Sequence, residues 1–64
     1  MHNLIGKTIV GMYIGDTIVK GTIRDYRSRY NETIYYVDLF KPITMLLGER
    51  NSVVLKTSEV LSIS

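Results

Sequence analysis

The stretch "TIVKGTIRDYRSRYNETIYYVDLF", residues 17–40, holds two runs rich in β-branched and aromatic side chains, separated by a short polar segment. In the first run, residues 17–26, Val19 and Ile23 fall on one side of a pleat and Lys20, Thr22 and Arg24 on the other, as in a half-buried strand. In the second, residues 33–40, Tyr35, Val37 and Leu39 alternate with Ile34, Tyr36, Asp38 and Phe40, and Asp38 marks the second set as the outer face. With "RSRYNE" between them the two runs form a hairpin. Gly21, midway along the first strand, predicts a bulge or sharp bend there.

Outward from this hairpin the same composition continues. "KTIVGMYI", residues 7–14, is apolar at nearly every position and predicts a strand covered on both faces. Gly15 and Asp16 then supply a two-residue turn. On the other side, "KPITMLLGERN", residues 41–51, breaks the strand rhythm. Pro42 cannot donate to a ladder, and "ITMLLG" predicts one short helical turn closed by Gly48. "SVVLK" gives a fourth strand, the polar "TSE" interrupts it, and "VLSI" gives a last one.

Five short strands, the first four joined by hairpins and the last set off by a single tight turn, predict an all-β chain closed into a small barrel. This order of elements resembles the SH3-like barrel over nearly the whole chain. The resemblance implies a five-stranded barrel, a short 3₁₀ turn before the last strand, and a terminal strand that returns beside the first. Closure removes most of the unpaired sheet edge. An OB-type barrel needs a longer chain and a helix between the third and fourth strands, for which "KPITMLLG" offers one turn.

The chain has 64 residues and 7.3 kDa, enough for one domain. A chain of this size buries only about 60% of the surface its unfolded form exposes, so its stability is marginal unless it associates. Eight isoleucines, six valines and six leucines accompany no alanine and one proline, a strand-forming composition. There is no cysteine, so neither disulfides nor a thiolate zinc site supplement the core, and an oxidising compartment is not indicated. The expectation is a cytoplasmic protein, with no signal peptide and no membrane partner.

Little in the chain resembles an active site. "GKT" at residues 6–8 matches the end of a phosphate-binding loop, but Met1 stands where that loop needs its first glycine, and a strand follows instead of a helix. His2 is the only histidine and lacks a local frame for general-base chemistry. The carboxylates are scattered without metal-ligand spacing. "NET" at residues 31–33 fits the glycosylation sequon, a short pattern that arises by chance. The chain therefore reads as non-enzymatic, with no catalytic residues, no metal and no cofactor.

Two surfaces carry the functional expectation. Net charge is +2, yet residues 1–30 carry five basic and two acidic groups while residues 31–64 carry three and four. The second hairpin concentrates this charge: Arg24, Arg27 and Arg29 interleave with Tyr26 and Tyr30, and Tyr36 lies across the strand pair. Guanidinium forks match phosphate oxygens and tyrosine rings stack on bases, so these six residues predict a site for nucleic acid or a phosphorylated, nucleotide-like ligand. The same residues also suit an ordinary polar hairpin tip. Arg24, Tyr26, Ile34 and Tyr36 are expected on one outer face.

The second surface is apolar. Strands one and three look apolar on both faces, and a small barrel has room for one. The surplus, Ile9, Tyr13, Ile34, Tyr36 and Phe40, together with Met45, Leu46 and Leu47, predicts an interface. Its occupant is a second copy in a homo-oligomer, or another protein for which this chain is an adaptor or inhibitor. In size and style the chain resembles the accessory proteins that bacteriophages encode to redirect host machinery, which would put it in a host cytoplasm.

Overall fold

The computed structural model describes residues 3–64, so His2 lies outside the described residues. Five antiparallel strands form one sheet: β1 (Thr8–Tyr13), β2 (Thr17–Arg29), β3 (Glu32–Met45), β4 (Gly48–Lys56) and β5 (Val60–Ile63), in the order β4-β3-β2-β1-β5. A 3₁₀ turn, Thr57–Glu59, stands between β4 and β5, and β5 lies beside β1 as expected. Among the described residues no helix is long and apolar enough to cross a membrane.

The connection from β4 to β5 dictates the shape. Those strands occupy opposite edges of the sheet, yet only the three residues of the 3₁₀ turn separate them in sequence. A flat sheet of this order would hold its edges about 19 Å apart, whereas a short turn spans about 3.5 Å per residue. The sheet therefore curls. No ladder joins β4 to β5 in the sheet, so hydrogen bonds between the edge strands do not close it into the expected barrel. The turn is pinned instead by side chains. Thr57 Oγ1 accepts from the Thr33 amide at 2.9 Å and donates to the Thr33 carbonyl at 3.1 Å, and Glu59 accepts from the Lys56 amide at 2.9 Å.

The inner face of the curl holds the core: Ile9, Val19, Ile23, Tyr35, Val37, Val53 and Leu55, with Leu39 and Val60 packed against it. Val19, Ile23, Tyr35 and Val37 are where alternation puts them. Ile9 and Tyr13 are not. Ile9 is fully buried and Tyr13 packs against the core, so both belong to the inner face rather than to the surplus outer surface expected of them. The outer side of β1 is instead Val10 and Met12, opposite Lys20 and Ile18 of β2.

The first turn explains the exchange. Tyr13 pairs with Thr17, which leaves three residues, Ile14 to Asp16, in the turn rather than Gly15 and Asp16 alone. Positive torsions fall on Ile14 (φ 47) and Gly15 (φ 82). A two-residue turn would slide β1 by one position and set Ile9 against Thr22, on the outer side of β2. The added residue puts Ile9 opposite Gly21 and Gly11 opposite Val19, in phase with the inner face.

Residues 41–51 contain no helical turn. β3 continues through Pro42 to Met45, turns at Leu46 and Leu47, and returns as β4 from Gly48, whose φ of 125 suits glycine. Pro42 is tolerated because the β3–β4 ladder shifts register between Asp38 and Ile43, so its missing amide hydrogen falls within the interruption. Beyond that interruption Ile43, Thr44 and Met45 pair with Arg50, Glu49 and Gly48. The two strands thus continue as a two-stranded arm, and the molecule extends 38 Å along its longest axis against 16 Å along its shortest.

Candidate binding surface on the second hairpin

β2 and β3 meet in a ladder that shifts register between Ile23 and Asp25. Ile23 opposes Val37 and Asp25 opposes Tyr36, leaving Arg24 as the extra residue of a bulge. A bulge changes the alternation of the strand that carries it. Before it Val19, Gly21 and Ile23 point inward; after it Tyr26 pairs with the buried Tyr35 and packs against the core. Tyr26 therefore does not share the outer face with Arg24 and Tyr36, as simple alternation predicted. Asp25 caps the irregularity by accepting a hydrogen bond from the Tyr26 amide at 2.8 Å.

The outer face is then built in rows across β2, β3 and β4. Asp25, Tyr36 and Val54 form one row, and Arg27, Ile34 and Lys56 the next. Arg29 and Glu32 end the hairpin, joined through Tyr30 and Asn31. Tyr30 has φ 57 and is 99% exposed. A tyrosine at a positive torsion is uncommon, and here it holds the ring away from the sheet. Arg24, Asp25, Arg27 and Tyr36 line one shallow depression, so the structure brings Arg24, Arg27 and Tyr36 together, with Arg29 and Tyr30 continuing toward the tip.

Charge on this face is mixed. Arg24 Nε lies 3.2 Å from Asp38 Oδ1, and both side chains are more than half exposed. Such a pair contributes about 0–1 kcal/mol and mainly orients the arginine. Among the described residues neither Arg27, Arg29 nor Lys56 forms a salt bridge. Arg27 and Lys56 stand two strand spacings apart, roughly 10 Å, on either side of half-buried Ile34. Lys56 was not identified from the sequence. The signal lies in "SVVLK", where inward Val53 and Leu55 force Lys56 outward, but it becomes useful only once β4 is known to flank β3.

Of the expected apolar interface, Phe40 is exposed, Ile34 and Met45 are half-buried, and Leu46 and Leu47 are fully exposed at the tip of the arm. Among the described residues no three His, Cys, Asp or Glu side chains gather as metal ligands would. Comparison with protein-family models, curated proteins and solved structures finds no match to this chain.

The bulge yields a direct test of how the face is sorted. Deleting Arg24 leaves Asp25 opposite Tyr36 and Tyr26 opposite Tyr35, so every remaining side chain keeps its side of the sheet. The variant is expected to fold and to lose no more than about 1 kcal/mol, the most that its exposed ion pair contributes. Urea denaturation measures this, and loss of the cooperative transition would mean that the bulge itself is needed for the curl.

Proposed function

We propose that this chain is a non-enzymatic binding module that holds a single-stranded nucleic acid across the outer face of β2, β3 and β4. The observation that carries the reading is the Arg27–Ile34–Lys56 row, two cations without salt-bridge partners among the described residues, flanking an apolar strip. Tyr36 lies in the adjoining row, and Tyr30 is fully exposed in the hairpin turn beyond Arg29 and Glu32. Arg27 and Arg29 sit two residues apart on one strand, about 6.7 Å, which suits successive phosphates of an extended backbone. The exposed Tyr30 ring suits an unstacked base, a stack contributing about 1–3 kcal/mol. A free nucleotide-like ligand shares this chemistry but is less well served. Small-molecule sites bury about 70–90% of their ligand, and these side chains lie on an open strand face.

Fluorescence anisotropy with a labelled single-stranded oligonucleotide, titrated at several salt concentrations, tests the proposal. Affinity is expected to fall steeply with salt, because each phosphate contact on a single strand contributes a slope of about −0.7. The Arg27→Ala, Arg29→Ala double variant is expected to flatten the log–log slope by about 1.4, and Lys56→Ala by a further 0.7 or so. Tyr30→Ala is expected to weaken binding roughly fivefold or more while leaving the slope unchanged. An affinity and slope that survive the arginine changes would remove this face from consideration.

A further inference from the structure

The β2–β3 ladder ends at Gly21 and Leu39, although β2 begins four residues earlier at Thr17 and β3 runs on to Met45. The two strands part there and leave an apolar cleft lined by Ile18 and Lys20 of β2 and by Phe40, Lys41 and Pro42 of β3. Among the described residues both walls are strand edges without ladder partners on the cleft side, a state that sheets ordinarily cover. At the far end of the same arm, about six residues or 20 Å away, Leu46 and Leu47 are completely exposed. A two-stranded ribbon is at best marginally stable alone in water, so an uncovered arm with two leucines at its tip implies a partner.

We propose that the occupant of the cleft is the arm tip of a second copy of this chain, with two copies exchanging tips reciprocally. Charge favours this occupant. Lys20 and Lys41 rim the cleft, while Glu49 follows the two leucines on the arm and has no salt bridge among the described residues, its neighbour Arg50 falling on the opposite face of the strand by alternation. Seating Leu46 and Leu47 brings that carboxylate to the lysines. Symmetry favours it too. Cleft and leucines sit at opposite ends of one arm, so two arms laid antiparallel about a twofold axis satisfy both clefts at once. The arm cannot satisfy its own cleft, because its ladder from Ile43 to Met45 carries the tip away from it. The assembly is a closed dimer that buries leucines left uncovered by the described residues of their own chain.

Sedimentation of the whole chain over a wide concentration range is expected to show a species of twice 7.3 kDa. Replacing both leucines by glutamate is expected to raise the dissociation constant about thirtyfold or more, the effect of losing a buried anchor, with an unchanged circular dichroism spectrum. The chain has no cysteine, so an equimolar mixture of an Ile18→Cys chain and an isotopically labelled Leu46→Cys chain is expected to give mixed disulfide dimers on mild oxidation. A chain that is monomeric at every concentration overturns the proposal. So does a dimer that the glutamate variant leaves intact, or an absence of the mixed disulfide. A tip that captures a different protein while the chain stays monomeric also overturns it and assigns the arm to that partner.

Discussion

Gly21→Val is expected to abolish cooperative folding. Gly21 is central in the sheet, pairing with Ile9 of β1 and with Leu39 of β3, so both sides of its strand are fixed. A Cβ at this position would meet the Asp38 carbonyl oxygen and come within 2.8 Å of Val37 Cγ1. The first obstacle is backbone and cannot rotate away. Val37 is itself fully buried, so the second obstacle has no free space to enter. Overpacking a core costs about 1–3 kcal/mol for modest insertions and more where backbone must shift. At about 0.05–0.15 kcal/mol per residue, a chain of this length has roughly 3–10 kcal/mol in total. Valine adds two further methyl groups to the clash and should exceed the lower part of that range. Gly21→Ala is expected to remain folded at low temperature with a midpoint far below that of the parent. Gly15→Asn is the control, because nothing among the described residues lies within 4 Å of a Cβ there and asparagine tolerates the positive torsion. Circular dichroism melts of the three variants give the comparison; a Gly21→Val chain that melts like the parent would refute the close approach.

Gly21 also marks the limit of sequence reading here. A glycine inside a strand predicts either a bulge or a close backbone approach, and its letter alone does not distinguish them. The bulge proved to be three residues further on, at Arg24, where "IRDY" contains no glycine and no other breaker. That single displacement turned Tyr26 inward and removed it from the Arg/Tyr surface. The remaining residues of the surface kept their side for separate reasons: Arg24 is the bulge residue itself, Arg27 is on the outer face two residues after Asp25, Arg29 and Tyr30 close the hairpin, and Tyr36 lies on β3, which has no bulge across that span. In β1 both faces are apolar, so periodicity could not choose between them. The choice was made by the length of the turn at Ile14 to Asp16. The arm was missed for a related reason. Pro42 argued for a break and Leu46–Leu47 contains none of the residues that usually announce a turn, yet the ladder resumes as soon as the proline is past.

Strand order was legible because it rests on coarser features. Four strands linked by short connections must be neighbours, and a three-residue turn can carry the chain to the opposite edge only if the sheet curls. The hydrophobic content of the strands sets how far it curls, since the inner face must close over Ile9, Ile23, Val37 and Leu55. The outer face is what remains, and its exposed charge and the uncovered arm follow from the same constraint. A chain this short has too little surface to bury to spare a second apolar layer over the outside of its sheet.

Leu55→Ala is expected to cost about 2–5 kcal/mol, a large share of the total stability, because Leu55 is fully buried and sits where the curl brings β4 toward β1. Its partner across that approach is Gly11. A Cβ on Gly11 would lie 2.7 Å from Leu55 Cδ1 and 2.8 Å from the Glu59 carbonyl oxygen. Removing the Leu55 methyl groups relieves the first clash and leaves the second. Gly11→Ala should therefore be less damaging in the Leu55→Ala background than alone, with an interaction energy of about 1 kcal/mol, while remaining destabilising in both. The four chains can be compared by urea denaturation in sulfate, which strengthens apolar burial enough to keep the weakest of them folded. Strict additivity would mean that β1 and β4 do not touch across the core and that the sheet is flatter than its three-residue connection requires. Full rescue would mean that the Glu59 carbonyl, and with it the 3₁₀ turn, sits farther from β1. The expected partial rescue ties the inner glycine, the buried leucine and the turn to one point, where the curl brings β4 and the 3₁₀ turn against β1.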